Sequence, residues 1–176
     1  MKRALSLLLA LAAAPALAQG TPAYTVQETG QGFASLQQAV QAVGGGRGTI
    51  VVAPGRYRDC AVQQAGEVTF RAAEPGTAVF DGGACEGKAT LVLRGRAATV
   101  EGLIFENVRV PDANGAGIRL EHGPLTVKET MFRNSESGIL SANDPSARIL
   151  VERSTFSGLG RCDRGLACAH SIYIGE

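Results

Sequence analysis

Thr99-Val-Glu-Gly-Leu-Ile-Phe105, Thr126-Val-Lys-Glu-Thr-Met-Phe132 and Leu150-Val-Glu-Arg-Ser-Thr-Phe156 read as three copies of one segment. In each copy a Val precedes a Phe by five positions, and the Val residues stand 27 and 24 residues apart. A period of this length, built of short β-type runs, marks a chain whose rounds stack on copies of themselves. Between the copies lies a third kind of strand: Gly117-Ile-Arg-Leu120, Gly138-Ile-Leu140 and Ser171-Ile-Tyr-Ile174. Each round is thus expected to carry three strands, one each from the Ile, Val and Phe series. Side chains alternate across a strand. Ile118, Ile139 and Ile172 then form one inner column, the Val residues a second and the Phe residues a third.

The rest of the chain agrees with that reading. Val68–Phe70, Ala78–Phe80, Leu91–Leu93, Ala98–Glu101 and Ile104–Phe105 are further short strands. No helical pattern of convincing length follows Val43, so an ordinary sheet with helical crossovers is excluded. Asn114-Gly115 is the one Asn-Gly dipeptide, which argues against a run of antiparallel hairpins. Before the strands, Phe33, Leu36, Ala39, Val40 and Val43 fall on one helical face, with Ser35 as the expected N-cap and Gly44-Gly45-Gly46 as the stop. This helix over 33–43 is the natural N-terminal cap, because stacked sheets leave an open edge. Ile50 to Val52 reads as a buried strand, Pro54-Gly55 as a turn, and 19–31 as a loose polar lead-in. The fold class is therefore all-β: a right-handed parallel β-helix, or solenoid, over 32–176 with a short cap helix. The chain ends on an apolar strand with no polar cap, which predicts further rounds beyond Glu176 or an edge covered by another chain.

Residues 1–18 read as a secretory signal peptide. Lys2 and Arg3 precede the apolar run Leu5–Leu17, and Ala16-Leu-Ala18 fits the cleavage rule. The run is too short for a membrane span. The protein is expected in the periplasm or outside the cell. Beyond the leader the chain holds 15 basic and 16 acidic residues with no basic patch, so nucleic acid is not an expected partner. Four cysteines in an exported chain predict disulfides. Of the three pairings, the local one joins Cys60 to Cys85, 25 residues or about one round apart, and Cys162 to Cys168. A Cys₄ metal site needs closely spaced pairs that the chain lacks.

Phe33-Ala-Ser-Leu-Gln-Gln-Ala-Val-Gln-Ala-Val43 followed by Gly48-Thr-Ile-Val-Val-Ala-Pro-Gly-Arg-Tyr57 resembles the opening of the pectin-lyase-like right-handed parallel β-helix superfamily. His170-Ser-Ile-Tyr-Ile-Gly175 resembles a motif of bacterial exported β-helix repeat proteins, of which this chain looks like an N-terminal portion. The resemblance implies work on polysaccharides outside the cytoplasm, of the polyuronide lyase or epimerase kind, with Ca²⁺ as a possible cofactor. The opening is most like pectin methylesterases, but their catalytic signatures are missing from this chain.

No cofactor is evident from the residues themselves. Asp59, Asp81, Asp112, Asp144 and Asp163 are dispersed among turn residues, whereas Ca²⁺ needs six to eight oxygens. Alternation sends Arg119 and Tyr173 outward in one column with Leu140 between them. The resemblance implies a groove on this face. The longest loop between rounds, Gly158–Ala169, enters the Tyr173 strand, and His170 ends it. Arg119, His170 and Tyr173 are therefore the candidate catalytic patch: Arg to neutralise a uronate carboxylate, His or Tyr to exchange a proton. The alternative is a non-catalytic glycan-binding or structural β-helix. His122 is expected to face solvent. Asn107 and Asn134 each lie two residues after a Phe, as ladder or as turn residues.

Overall fold

The computed structural model describes residues 22–160 and 170–175. The leader, Cys162, Cys168 and most of the loop from Gly158 to Ala169 lie outside the described residues. In chain order the elements are β1 (Tyr24–Val26), β2 (Gln31–Phe33), α1 (Leu36–Val43), β3 (Arg47–Val52), β4 (Gly55–Tyr57) and β5 (Ala61–Gln63). Then come β6 (Glu67–Ala72), β7 (Ala78–Asp81), β8 (Ala89–Leu93), β9 (Ala97–Glu101), β10 (Leu103–Glu106) and β11 (Ala116–Leu120). The last are β12 (Leu125–Lys128), β13 (Met131–Arg133), β14 (Ser137–Ser141), β15 (Ile149–Glu152), β16 (Thr155–Ser157) and β17 (Ile172–Tyr173).

From β3 onward the strands enter three sheets in rotation. β3, β6, β9, β12 and β15 are neighbours in the Val sheet, β4, β7, β10, β13 and β16 in the Phe sheet, and β5, β8, β11, β14 and β17 in the Ile sheet. All neighbours within these series pair in parallel. The registers are those the repeat predicts. Val100, Val127 and Val151 are partners. So are Phe80, Phe105, Phe132 and Phe156, and Leu91, Ile118, Ile139 and Ile172.

One core joins the three sheets, with Ile50, Val100, Phe105 and Ile118 all fully buried in it. Its spine is aromatic. Phe80, Phe105, Phe132 and Phe156 stack at centroid separations of 5.6, 5.3 and 4.8 Å, and Tyr57 and Tyr24 extend the row. Each such pair adds about 0.5–1.5 kcal/mol to the burial of its rings.

The corners recur as well. Two residues after each Phe the backbone is left-handed: Gly82, Asn107, Asn134 and Gly158 have φ of 73°, 56°, 51° and 59°. Asn107 and Asn134 are therefore turn residues, and the Asn107 amide also donates to Asp81 Oδ1 at 2.8 Å.

The N-terminal part departs from expectation in three places. The segment expected as a loose lead-in contains β1, which runs antiparallel to both β3 and β2. Tyr24 is 1% exposed: it packs in the main core with its ring tilted against Tyr57. The helix begins at Leu36 rather than Phe33, because Phe33 completes β2. Ser35 holds the N-cap position in extended backbone, as expected, but makes no side-chain cap bond, and the first N–H, on Leu36, donates to Asp59 Oδ2 at 2.8 Å. Gly55, expected in a turn, opens β4.

Cys60 and Cys85 form a disulfide, as the local pairing predicted. Among the described residues, no helix is long and apolar enough to cross a membrane.

Candidate functional site

The Ile sheet buries residues on both of its faces. Ile118 and Ile139 belong to the main core. Val92 and Leu140, each one residue further along, belong to a second small cluster with Ala89 and Ala116. Val92, Arg119, Leu140 and Tyr173 are register partners in consecutive rounds. The outward column read from alternation is thus present. It is not bare, since Val92 and Leu140 are only 0% and 5% exposed.

Arg119 opens into a pocket of about 190 Å³ lined by Gly87, Lys88, Asp112, Asn114, Arg119 and Leu140. A charge network stands behind it. Glu121 accepts from Lys88 Nζ at 2.7 Å and from Arg94 Nε at 2.6 Å. Glu86 takes a second bond from Arg94 at 2.9 Å and lies 3.4 Å from Lys88 Nζ. Burial pushes the Glu121 carboxyl up, but the Lys88 and Arg94 hydrogen bonds outweigh it and the result is below the usual carboxylate range. Arg94 holds Glu86 down at about 2. The bond to Glu121 raises the Lys88 ammonium above its ordinary value.

Arg119 is left out of this pairing. Its nearest carboxylate oxygen, Glu121 Oε1, is 3.9 Å from Nε, and that buried Nε has no hydrogen-bond partner. Lys88 and Arg94 already occupy Glu121. A guanidinium in this state holds charge and donors for an incoming anion.

The far wall of the pocket is the loop of residues 107–115 between β10 and β11. Val108, Val110 and Ala113 are buried along it, while Asp112 and Asn114 reach the pocket. Glu136 in the next round holds it in place. Its Oε2 accepts the N–H of Val110 at 3.0 Å and of Gly115 at 2.7 Å. Ser135 Oγ accepts from Val108 N–H at 3.1 Å. A Cβ at Gly115 would lie 2.7 Å from Glu136 Oε2, so this close approach requires glycine.

The three residues expected to form one patch fall into two places. His170 and Tyr173 meet, with ring centroids 5.0 Å apart and planes tilted by 41°. Arg119 lies two rounds away along the column, about 10 Å at the usual strand spacing. Tyr173 is 46% exposed. His122 is exposed, as expected, and its Nδ1 lies 2.9 Å from Asp144 Oδ2. Lys88, Glu121 and Glu136 were not singled out from the sequence, and Asp112 and Asn114 were read only as turn residues. A usable signal was the corner before β11, which spans residues 107–115 where the corner before β14 needs only 134–136.

Among the described residues, no group of three or more His, Cys, Asp or Glu side chains is placed to hold a metal ion. The described residues thus offer no carboxylate cluster for the Ca²⁺ that the resemblance implies. The chain matches no protein-family model, no curated protein and no solved structure.

Proposed function

We propose that this chain is an exported, right-handed parallel β-helix protein that binds acidic polysaccharide on the outer face of its Ile sheet and performs no chemistry at Arg119. Right-handed winding is supported by the rule that parallel strands joined by crossovers are almost always connected in that hand. The helix preceding β3 supports the likeness to the pectin-lyase-like opening. Export is supported by the leader sequence and by the Cys60–Cys85 bond, which persists in oxidising compartments.

The observation that carries the reading is Arg119: a partly buried guanidinium whose ion pair with Glu121 is long, at 3.9 Å, and whose buried Nε has no hydrogen-bond partner, at the edge of a small pocket. The exposed Tyr173 ring with His170 against it offers a flat apolar platform further along the same column, which suits the face of a sugar ring. Binding is favoured over a lyase or epimerase because, among the described residues, the candidate bases near Arg119 are otherwise engaged: Asp112, the carboxylate lining the pocket, accepts the Asn114 N–H within its own turn. Lys88 is held as an ammonium by Glu121, and the His170–Tyr173 pair is two rounds away.

The test is a titration of the whole chain with polygalacturonate, alginate and neutral dextran, with ultraviolet absorbance followed for unsaturated uronate. Binding of the acidic polymers, weakened by Arg119→Met and accompanied by no new absorbance, supports the reading. Product formation moves the assignment to a lyase. Failure of every polymer to bind removes it.

A further inference from the structure

We propose that loop 107–115 sets the selectivity of the Arg119 pocket: Asp112 limits it to a ligand group carrying one negative charge beside a hydroxyl, and Glu136 is the positioning residue that keeps Asp112 there. The inference rests on the reading of Arg119 as an anion-binding residue.

The loop is six residues longer than the same corner in the next round, which turns with residues 134–136 alone. A loop this long over a pocket needs a clasp, and both of its arms end on one atom. Val110 N–H and Gly115 N–H converge on Glu136 Oε2 from opposite sides of the tip. The Glu136 residue is 6% exposed, so these bonds to a charged acceptor are shielded from water. Between the two arms, Asp112 Oδ1 accepts the N–H of Asn114 at 3.2 Å, which fixes the carboxylate within the tip.

The charges then decide what the pocket admits. Lys88 and Arg94 are committed to Glu86 and Glu121. Arg119 is the cation with the loosest partner, Glu121 Oε1 at 3.9 Å, and a single incoming carboxylate satisfies it. A second negative charge on the same ligand would sit within a pocket of about 190 Å³ that also holds the Asp112 carboxylate. Asp112 is exposed, so the repulsion is that of like charges close together in water, about fivefold in affinity at contact range, and such a repulsive group is how sites reject near-neighbours of their ligand. A hydroxyl, by contrast, donates to Asp112. The ligand class is a hydroxy-carboxylate such as a hexuronate unit, and a phosphorylated sugar of the same size is turned away.

The probes are glucuronate and glucose 6-phosphate, titrated into the whole chain at about pH 7.5, where the phosphate is close to doubly charged. The wild type is expected to bind glucuronate about fivefold more tightly than glucose 6-phosphate. Asp112→Asn is expected to close most of that gap, chiefly by strengthening phosphate binding. Glu136→Ala should close it too and open Arg109 to trypsin, while Glu136→Gln, which keeps an acceptor oxygen, preserves both selectivity and protection. A wild type that binds neither sugar overturns this inference together with the reading beneath it. Binding with a preference that Asp112→Asn leaves unchanged, or a Glu136→Ala variant that keeps full selectivity, overturns this inference alone.

Discussion

The side-chain amide of Gln37 in α1 pairs with both backbone groups of Val62 in β5. Oε1 accepts the Val62 N–H at 2.7 Å and Nε2 donates to the Val62 carbonyl at 3.2 Å. β5 is the terminal strand of the Ile sheet. One glutamine thus does for that edge what a neighbouring strand's peptide would do, and the helix seals an edge that invites pairing with other chains.

Gln37→Leu should therefore destabilise the fold by about 2 kcal/mol, the worth of two neutral hydrogen bonds with one edge carbonyl and amide left to water. Urea unfolding of the two proteins measures it. An unchanged midpoint would show that the helix caps the edge by packing alone.

The Cys60–Cys85 bond ties the approach to β5 to the approach to β8 across 25 residues. Loop closure of that length is worth about 3 kcal/mol through the unfolded chain. Paired Cys60→Ser and Cys85→Ser substitutions should lower stability by about that amount and reduce the wild type's sensitivity to reductant to whatever Cys162 and Cys168 contribute. Unfolding with and without dithiothreitol compares them. Reductant sensitivity that survives in full in the double variant would place the stabilising bond elsewhere.

Why the columns were legible and the pocket was not has a physical cause. Val100, Phe105 and Ile118 recur because each inner position must match the one stacked on it, and that constraint repeats every round. Arg119 and Tyr173 inherited their placement from the Ile residues beside them. Tyr24 carried no such signature, since its strand, β1, is antiparallel. Asp112 was read as a turn residue, which it is. Its place in the pocket comes from two backbone bonds to Glu136, which lies 21 and 26 residues from its donors and outside the repeat.

Corners two residues after the Val column also adopt left-handed backbone, at Gly102, Glu129 and Arg153, with φ of 70°, 48° and 47°. A β-carbon there costs about 1–2 kcal/mol, which glycine avoids. Arg153 loses an ion pair with Glu129 on replacement, but the two side chains are 64% and 42% exposed and such pairs contribute little. Arg153→Gly is therefore expected to be neutral or stabilising by up to about 1 kcal/mol after the unfolded-state entropy of glycine is counted. Arg153→Val should be clearly destabilising. Thermal unfolding ranks the three, and a valine variant as stable as wild type would contradict the corner geometry.

The Asp144 carboxyl is held at about 2, first by the Gly123 N–H and then by Ser146. Its folded value lies below the ordinary carboxylate value of about 3.9. The stabilisation is therefore fully present above that value and is lost as pH falls from about 4 towards 2. Asp144→Asn should be less stable than wild type at neutral pH, and the difference should shrink through that window. Denaturation midpoints at pH steps across it test the sign. A difference constant with pH would mean that the carboxylate's charge is not what Gly123 and Ser146 stabilise.

Glycine precedes isoleucine in the Ile sheet because of the aromatic spine. A Cβ at Gly117 would lie 2.7 Å from Phe132 Cδ1 and 3.0 Å from Phe105 Cβ. At Gly138 it would meet Phe156 Cδ1 at 2.8 Å. Neither ring can retreat freely, since Phe105, Phe132 and Phe156 stack on one another. Gly117→Ala should cost about 2–3 kcal/mol by overpacking, more than the roughly 1 kcal/mol expected for Ile118→Val, although it adds a methyl where the other removes one. The cause can be isolated by a double-mutant cycle. If the Phe132 ring is what the new methyl strikes, Phe132→Leu should absorb it, and the double variant should be at least about 1 kcal/mol more stable than the sum of the single costs predicts. Additive costs would place the strain in the backbone at Gly117 and detach the Gly-Ile pattern from the Phe column.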